Sequence, residues 1–304
     1  MSSRKDRVMP DATLKQGNRL NELILRESDP HRFIQNLLGN WGAVQKVGRG
    51  ELSQSAVEAA VAGGVNPYAS EKVRPVLSYP RGYRPIATLD QVTAFSAKLG
   101  QLDDSQIVRL ATSLVEAAAD GIYLVPKPSV LAIRLGISDP LGEGYGQLLE
   151  QGPLAALSGQ RPLRNWREGK MGPDRLRVLA STKAAIEQLE AEQEGDFLVI
   201  PAQTGKLYAG YSVRNSRWEI EHAADPAQWA LPAYCLAWML FANPHRLEKN
   251  EHLAIDCPGD EHRPSPDAVS GSCLFFCWNG SRLRFVNNGI GYASGDFGSA
   301  SAFR

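Results

Sequence analysis

The chain has 304 residues, and its 33 lysine and arginine residues equal its 33 aspartate and glutamate residues, so the formal net charge is zero. A hydrophobic fraction of 43% with 22% charged residues is typical of a folded protein with an apolar core, which excludes general disorder. The balanced charge excludes a protein that coats nucleic acid or membrane through bulk positive charge, but it permits a local basic patch.

Cysteine usage and apolar stretches predict the cellular setting. The four cysteines stand at positions 235, 257, 273 and 277. They include no Cys-x-x-Cys pair and indicate no disulfide framework. No apolar segment of a secretory signal follows the charged N-terminus. The most apolar stretch, Trp229 to Ala242, is shorter than the roughly 20 residues that a membrane-spanning helix needs. We therefore predict a cytoplasmic protein without a membrane partner.

Helical patterns dominate the first part of the chain. Residues 1–10 are polar and predict a flexible N-terminus, and amphipathic spacing predicts three helices between Asp11 and Gly64. Four prolines within 65–87 exclude a helix interior there, so at most an edge strand is expected over 72–79.

Capping patterns predict the helices that follow. Thr88-Leu-Asp-Gln91 fits a capping box that opens a helix to Leu99, and Asp103 opens a second helix to Ala119. The further predicted elements are a short apolar run at 122–125, short helices at 129–135 and 144–151, and a long helix from Pro173 to Gly195. Together these patterns predict a mainly helical domain over 11–195.

The hydrophobic periodicity changes at Asp196. The predicted strands cover 197–202, 207–213, 218–222, 252–256, 273–278 and 281–286. A helix that is apolar on every side is predicted at 231–242, and Asn279-Gly280 between apolar runs is a strong hairpin signal. The predicted fold is α+β: a helical N-terminal part, then a mostly antiparallel βββαβββ unit over 196–288. A Gly/Ser-rich tail follows at 289–304, and nothing in it forces order.

A basic stretch from Arg161 to Arg177 is the first candidate binding region. Its candidate anion-binding or nucleic-acid-binding residues are Arg161, Arg164, Trp166, Arg167, Lys170, Arg175 and Arg177. The stretch leads into the helix predicted to begin at Pro173, where free backbone amides and the helix dipole favour anions. Trp166 is available for stacking on a base. The alternative is that acidic residues of the preceding segment, 139–150, neutralise the arginines at an ordinary surface.

A second candidate region lies in the proline-rich segment. Its candidate binding residues are Lys72, Arg74, Arg81 and Arg84, with Tyr79 and Tyr83 interleaved and no acid among them. Basic and aromatic residues on a stiff loop suit an extended partner or a single nucleic-acid strand. The alternative is a surface loop whose tyrosines pack on the body of the protein.

Histidines and cysteines within 245–262 carry the only candidate catalytic or metal chemistry. His252, Cys257 and His262 are ligand types for zinc, but their spacing matches no closed zinc site. Cys257 is the only cysteine expected to be exposed, and a nucleophilic role with His262 would still need an orienting group and an oxyanion hole. No cofactor is predicted.

Three functional hypotheses follow, of which the first rests on the apolar strand 274–278. Both of its faces are apolar, so it is either central in the fold or covered by a partner. With no catalytic motif and zero net charge, we expect a non-enzymatic interaction or assembly protein that self-associates or binds a protein partner, such as an accessory component of a bacterial or mobile-element system. The alternatives are a nucleic-acid-binding protein that uses 72–84 and 161–177, and a Cys/His or zinc-dependent hydrolase centred on Cys257 and His262.

Overall fold

The computed structural model describes residues 66–114, 118–223, 227–265 and 271–304. The chain divides into two compact units, 1–67 and 68–304, and the second unit is the one described below. The flexible segment predicted for 1–10 and the three helices predicted between Asp11 and Gly64 lie outside the described residues.

Helices and strands alternate along the described unit, which confirms the α+β class. The helices are α1 (Thr88–Leu99), α2 (Ile107–Ser113), α3 (Pro128–Leu135), α4 (Tyr145–Leu149), α5 (Ala155–Gln160), α6 (Ala180–Glu192), α7 (Val213–Glu221) and α8 (Ala233–Ala242). The strands are β1 (Gly121–Pro126), β2 (Leu163–Asn165), β3 (Leu176–Val178), β4 (Phe197–Ala209), β5 (Gln228–Ala230), β6 (Ala254–Asp256), β7 (Asp260–His262), β8 (Ser272–Asn279), β9 (Arg282–Gly289) and β10 (Phe297–Phe303).

All of these strands belong to one mixed sheet. Its order is β1-β4-β10-β6-β8-β7-β3, with β9 paired to β8, β2 paired to β9 and β5 paired to β10. The pairs β10–β6 and β2–β9 are parallel, and the remaining pairs are antiparallel. The hairpin predicted at Asn279-Gly280 is confirmed, because β8 and β9 pair from Asn279–Arg282 onward.

The apolar core surrounds α8, which confirms the buried helix predicted for 231–242. Every residue of α8 is buried, as expected for a helix that is apolar on all sides. Trp238 is fully buried and contacts the rings of Phe95 on α1, Tyr234 and Phe241. The core also includes Phe276 of β8, so one face of the sheet packs toward α8.

The segment 68–87, called the strap below, is joined to α7 and to the loop before β10. Glu71 of the strap accepts hydrogen bonds from Ser212 and Arg214 at the start of α7. Farther along, the Val76 amide donates to the Gly295 carbonyl at 2.7 Å. The edge strand expected over 72–79 is reduced to isolated bridges at Lys72 and Ser78. Side chains and single amides, rather than a ladder, therefore fasten the strap.

The βββαβββ order is corrected by two segments. The break predicted between the strands 197–202 and 207–213 lies inside β4, where Gly205 adopts a φ of +116° at an irregular pairing with β10. The residues Thr204–Lys206 form a β-bulge, and the strand continues through them without a turn. The strand predicted at 218–222 belongs to α7, whose N-cap Ser212 accepts from the Asn215 amide at 3.2 Å.

Two helix predictions are also corrected. The helix predicted from Pro173 begins only at Ala180, because Leu176–Val178 pairs with β7 as β3. The prediction was wrong because the apolar residues of so short a segment fit the spacing of a helix as well as the alternation of a strand. The capping box at Thr88 does not form: Gln91 turns inward, where its amide donates to the carbonyls of Ile86 and Ile122, both at 2.9 Å.

The segment expected to be a tail contains β10, at the centre of the sheet between β4 and β6. This correction has a steric reason, because β10 is rich in Gly, Ser and Ala and the neighbouring backbones approach closely. A Cβ added at Gly298 would stand 2.1 Å from the Gly205 carbonyl oxygen. Strand pairing also crosses the domain boundary predicted near 195, since β1 pairs with β4 along its whole length.

Candidate functional site

A pocket of about 540 Å³ lies between the strap and strand β4. This volume is within the range usual for small-molecule sites, roughly 300–1,000 Å³. Its polar lining includes Tyr79, Arg81 and Arg84 from the strap and Lys206 from β4. The lining holds these three cations and no Asp, Glu, His or Cys, so the pocket is positively charged.

Tyr79 forms the inner wall of the pocket and is tied to a buried carboxylate. Its hydroxyl donates to Asp120 Oδ2 at 2.9 Å and accepts from the Lys206 amide at 3.0 Å. Asp120 also accepts from the backbone amide of Thr204 at 2.8 Å and from its hydroxyl at 3.0 Å. Burial raises the pKa of Tyr79 well above its usual value, so this phenol stays neutral.

Arg246 is fully buried and stacks on Tyr79, with its guanidinium carbon 4.0 Å from the ring centroid. Nε donates to Thr204 Oγ1 at 2.9 Å, one Nη to the Leu253 carbonyl at 3.0 Å and the other to the Thr204 carbonyl at 2.6 Å. Thr204 therefore bridges Arg246 and Asp120. These bonds hold the guanidinium in place, so its role is to fix Tyr79 and not to contact a ligand.

Tyr83 completes the aromatic wall. It is buried, its hydroxyl lies 2.9 Å from the Tyr123 hydroxyl, and its ring stands edge-on to Tyr79 at 5.7 Å. His245 packs on the same ring at 5.1 Å, and its Nε2 lies 3.1 Å from the Arg84 carbonyl oxygen. Both tyrosines thus pack on the body of the protein, as the alternative interpretation of 72–84 predicts.

The basic residues of the strap lie in three different environments. Lys72 is engaged, because its Nζ donates to the Tyr211 hydroxyl at 2.7 Å and lies over that ring. Arg74 is exposed outside the pocket lining. Arg81 and Arg84 are exposed at the pocket, and no ion pair joins either of them, or Lys206, to an acid within the described ranges. Positive charge therefore remains available to a ligand there.

Arg161, the first residue of the 161–177 stretch, is used inside the fold. Its guanidinium donates to the carbonyls of Leu240, Pro244 and Leu247 at 2.9–3.3 Å, which satisfies acceptors at the end of α8. Burial lowers the pKa of Arg161 to about 10. Since His245 contacts the Arg84 backbone, the two basic stretches meet at the turn 244–247.

The other residues of this stretch are divided between internal pairs and the surface. Arg177 pairs with Glu261 on β7, and Arg175 lies 3.7 Å from Asp174. The helix that was predicted to begin at Pro173 begins only at Ala180, after both arginines. Its free backbone amides therefore do not lie beside Arg175 and Arg177 as the prediction assumed. Arg164, Trp166 and Lys170 are exposed, and Arg167 is half-buried.

A pair of substitutions distinguishes these environments. Arg161→Met removes the donors from three carbonyls and should lower the free energy of unfolding by about 2 kcal/mol, because buried acceptors lose their partners. Arg164→Gln, on the surface, should change it by less than about 0.5 kcal/mol. Urea unfolding of both variants measures the difference, and equal effects would contradict the internal role of Arg161.

The residues considered for a zinc site or a nucleophile, His252, Cys257 and His262, are not grouped as a metal site. Cys257 is fully buried, so the expectation that it is exposed is wrong, and burial raises the pKa of its thiol. His262 is also buried, its Nδ1 lies 3.0 Å from Ser272 Oγ, and burial lowers its pKa to about 4. His252 is half-buried and accepts from the Glu248 amide at 3.2 Å. Across the described residues, no group of three or more His, Cys, Asp or Glu is placed to hold a metal ion.

The apolar strand that motivated the assembly hypothesis is covered by its own chain. Leu274 and Phe276 are fully buried against the α8 core. Phe275, on the other face, packs edge-on against Phe297 at 4.9 Å. The strand is therefore central in the fold, the first of the two interpretations given for it.

Neither a protein-family model nor a curated protein nor a solved structure matches this chain. In the part of the chain that the structure describes, no helix combines the length and apolarity needed to cross a membrane. Sequence reasoning missed Lys206 of the pocket lining and the residues that hold Tyr79 in place from behind, namely Asp120, Thr204 and Arg246. Arg246 is preceded by a buried helix and Asn243-Pro244, but nothing local indicates that its side chain turns inward.

Proposed function

We propose that the protein binds a phosphate-bearing organic anion in the pocket between the strap and β4. The observation that carries this proposal is the pocket lining, in which Arg81, Arg84 and Lys206 converge without an acidic residue. Charge-assisted hydrogen bonds from such cations are the usual means of holding a phosphate group. This is the anion-binding role expected for the strap, now with Lys206 added.

The remaining lining suits the organic part of the ligand. Pro75, Leu77, Ala209 and Leu253 supply apolar surface beside the tyrosine wall. A volume of about 540 Å³ suits a molecule of nucleotide size. A nucleoside phosphate therefore matches both the charge and the shape of the pocket.

The surrounding contacts support binding and not catalysis. The Asp120, Thr204 and Arg246 network fixes Tyr79 and the Lys206 backbone before a ligand arrives, which reduces the ordering cost of binding. The pocket lining offers no paired nucleophile and base. A binding protein agrees with the non-enzymatic character expected from the sequence.

The test is titration calorimetry of the full chain with ATP, and with pyrophosphate to isolate the phosphate contribution. Arg81→Gln and Lys206→Gln should each weaken ATP binding by about tenfold, as expected for one charge-assisted hydrogen bond of about 1.4 kcal/mol or more. Arg109→Gln, an exposed arginine on α2, is the matched control and should leave the affinity unchanged. Pyrophosphate should bind more weakly than ATP, because it does not use the apolar wall.

If the Arg81→Gln/Lys206→Gln double variant binds ATP as tightly as the unmodified chain, the pocket is not the binding site. If neither ATP nor pyrophosphate binds at low ionic strength, the proposed function is wrong.

A further inference from the structure

Strands β2, β9 and β8 form a surface of the sheet that is separate from the pocket. Along β8 the side chains alternate, so that Leu274 and Phe276 face the α8 core while Cys273, Phe275 and Cys277 face the other way. Residues that pair across neighbouring strands point to the same face of the sheet. The residues paired with Cys277 on β9, and with those residues on β2, therefore lie on the face directed away from α8.

Arginines occupy that face. Cys277 pairs with Arg284 on β9, and Arg284 pairs in turn with Arg164 on β2. Arg282, two residues before Arg284, lies on the same face opposite Asn279. Trp166, two residues after Arg164, stacks on it with the guanidinium carbon 3.9 Å from the ring centroid. Arg164, Trp166, Arg282 and Arg284 are called the arginine–tryptophan face below.

The face opens toward the β8–β9 turn. Cys273 and Phe275 are buried at one end, Cys277 and Arg284 are half-buried, and Arg164 and Arg282 are exposed. Trp166 retains 41% of its surface, an unusual exposure for an indole. A large aromatic side chain on an open sheet surface is a feature of binding surfaces.

Charge on this surface has one sign. The sequences of β2, β8 and β9 contain three arginines and no Asp or Glu. Arg284 donates to the side-chain oxygen of Asn279, Oδ1, at 2.8 Å. Within the described residues no ion pair joins Arg164, Arg282 or Arg284 to an acid, and Arg164 and Arg282 are exposed, so positive charge remains available to an anionic partner.

We propose that the arginine–tryptophan face binds single-stranded nucleic acid. An unpaired base can stack on the Trp166 indole, and neighbouring phosphates can pair with Arg164, Arg282 and Arg284. A sheet face that combines an exposed aromatic ring with basic side chains suits splayed, unstacked bases. A duplex offers only its backbone to such a surface, because its bases are stacked and paired. The surface is independent of the nucleotide pocket and of the function proposed for it.

Fluorescence anisotropy of the full chain with a labelled oligodeoxythymidine of about 15 nucleotides tests this proposal. Trp166→Ala should weaken binding by about tenfold, since stacking on an aromatic side chain contributes roughly 5- to 160-fold per base. Arg164→Gln/Arg284→Gln should weaken binding and also reduce its salt dependence, because fewer counterions are released. An oligouridine of the same length shows whether RNA or DNA is preferred.

The control variants separate this surface from the pocket. Arg109→Gln and the pocket double variant Arg81→Gln/Lys206→Gln should bind the oligonucleotide within twofold of the unmodified chain. Conversely, Trp166→Ala should bind ATP unchanged, so failure of one proposal does not decide the other. Thermal unfolding of each variant confirms that the substituted chain is folded.

Three results would overturn the proposal. The first is an oligonucleotide affinity that Trp166→Ala leaves unchanged, and the second is equal affinity for single strand and duplex. The third is a dimer in light scattering that Trp166→Ala converts to monomer, which would assign the face to a second copy of the chain.

Discussion

Replacing Arg246 by methionine should lower the free energy of unfolding by about 3–5 kcal/mol, because a fully buried guanidinium with three hydrogen bonds is removed while its acceptors stay buried. Methionine fills similar volume but donates no hydrogen bond, so the carbonyls of Thr204 and Leu253 would lose their partner. The Thr204 hydroxyl, which donates to Asp120, would also lose the hydrogen bond that it accepts from Arg246. Urea unfolding followed by circular dichroism measures the change.

The matched control is Arg74→Met, on the exposed part of the strap, for which a change below about 0.5 kcal/mol is expected. Arg246→Lys keeps the charge but not the forked geometry, and should fall between the two. If Arg246→Met unfolded no more easily than Arg74→Met, the hydrogen bonds of this guanidinium would contribute nothing net. In the folded Arg246→Lys variant, ATP should bind more weakly, because Tyr79 loses its stacked partner.

Buried Asp256 should make stability fall as pH rises from about 4 to 7, the reverse of the usual acid denaturation and opposite in sign to the contribution of buried His262, whose pKa is lowered. Burial raises the pKa of Asp256 on β6 to about 7, and the nearby Arg217 only partly opposes this. Its pKa in the folded state is therefore above the unfolded value, so the native state holds more protons in this window and loses stability as they dissociate. At 1.36 kcal/mol per pKa unit, the upper limit of the loss is about 4 kcal/mol.

The Asp256→Asn variant should lose less free energy of unfolding between pH 4 and 7 than the unmodified chain, and should be more stable than it at pH 8. Burial also raises the pKa of Asp260 to about 7, against the opposing hydrogen bond from the Ala233 amide, so part of the decline should persist. Asp174→Asn, at an exposed position, is the control. The measurement is urea unfolding at several pH values between 4 and 8. A less stable Asp256→Asn at pH 8 would mean that Asp256 is ionised and paired with Arg217.

Elements with a strong local signal were predictable from the sequence. The Asn279-Gly280 hairpin and the buried helix α8 are confirmed because a two-residue turn and an all-apolar segment depend little on distant residues. Strand β1 follows the apolar run at 122–125 closely. Two predictions for the chain after Asp196 are wrong. The break between the strands 197–202 and 207–213 is a bulge inside β4, and the strand at 218–222 belongs to helix α7.

The sheet order and the pocket depend on distant parts of the chain and could not be predicted in this way. Strands β2 and β3 have three residues each, too few for a period to show. The strap was identified as a basic region, but the acid-free lining also needs Lys206, and the stack under Tyr79 needs Arg246. No local pattern states that these side chains meet.

The position of β10 at the centre of the sheet has a consequence for the order of events in folding. β10 pairs with β4, β5 and β6, so none of these three strands can complete its hydrogen bonds until β10 has docked. Such non-local pairing requires long loops to close first, which makes folding slow. Lys206 and Thr204 both belong to β4. We therefore expect the pocket to form late, so that the recovery of ligand binding during refolding should coincide with completion of the sheet.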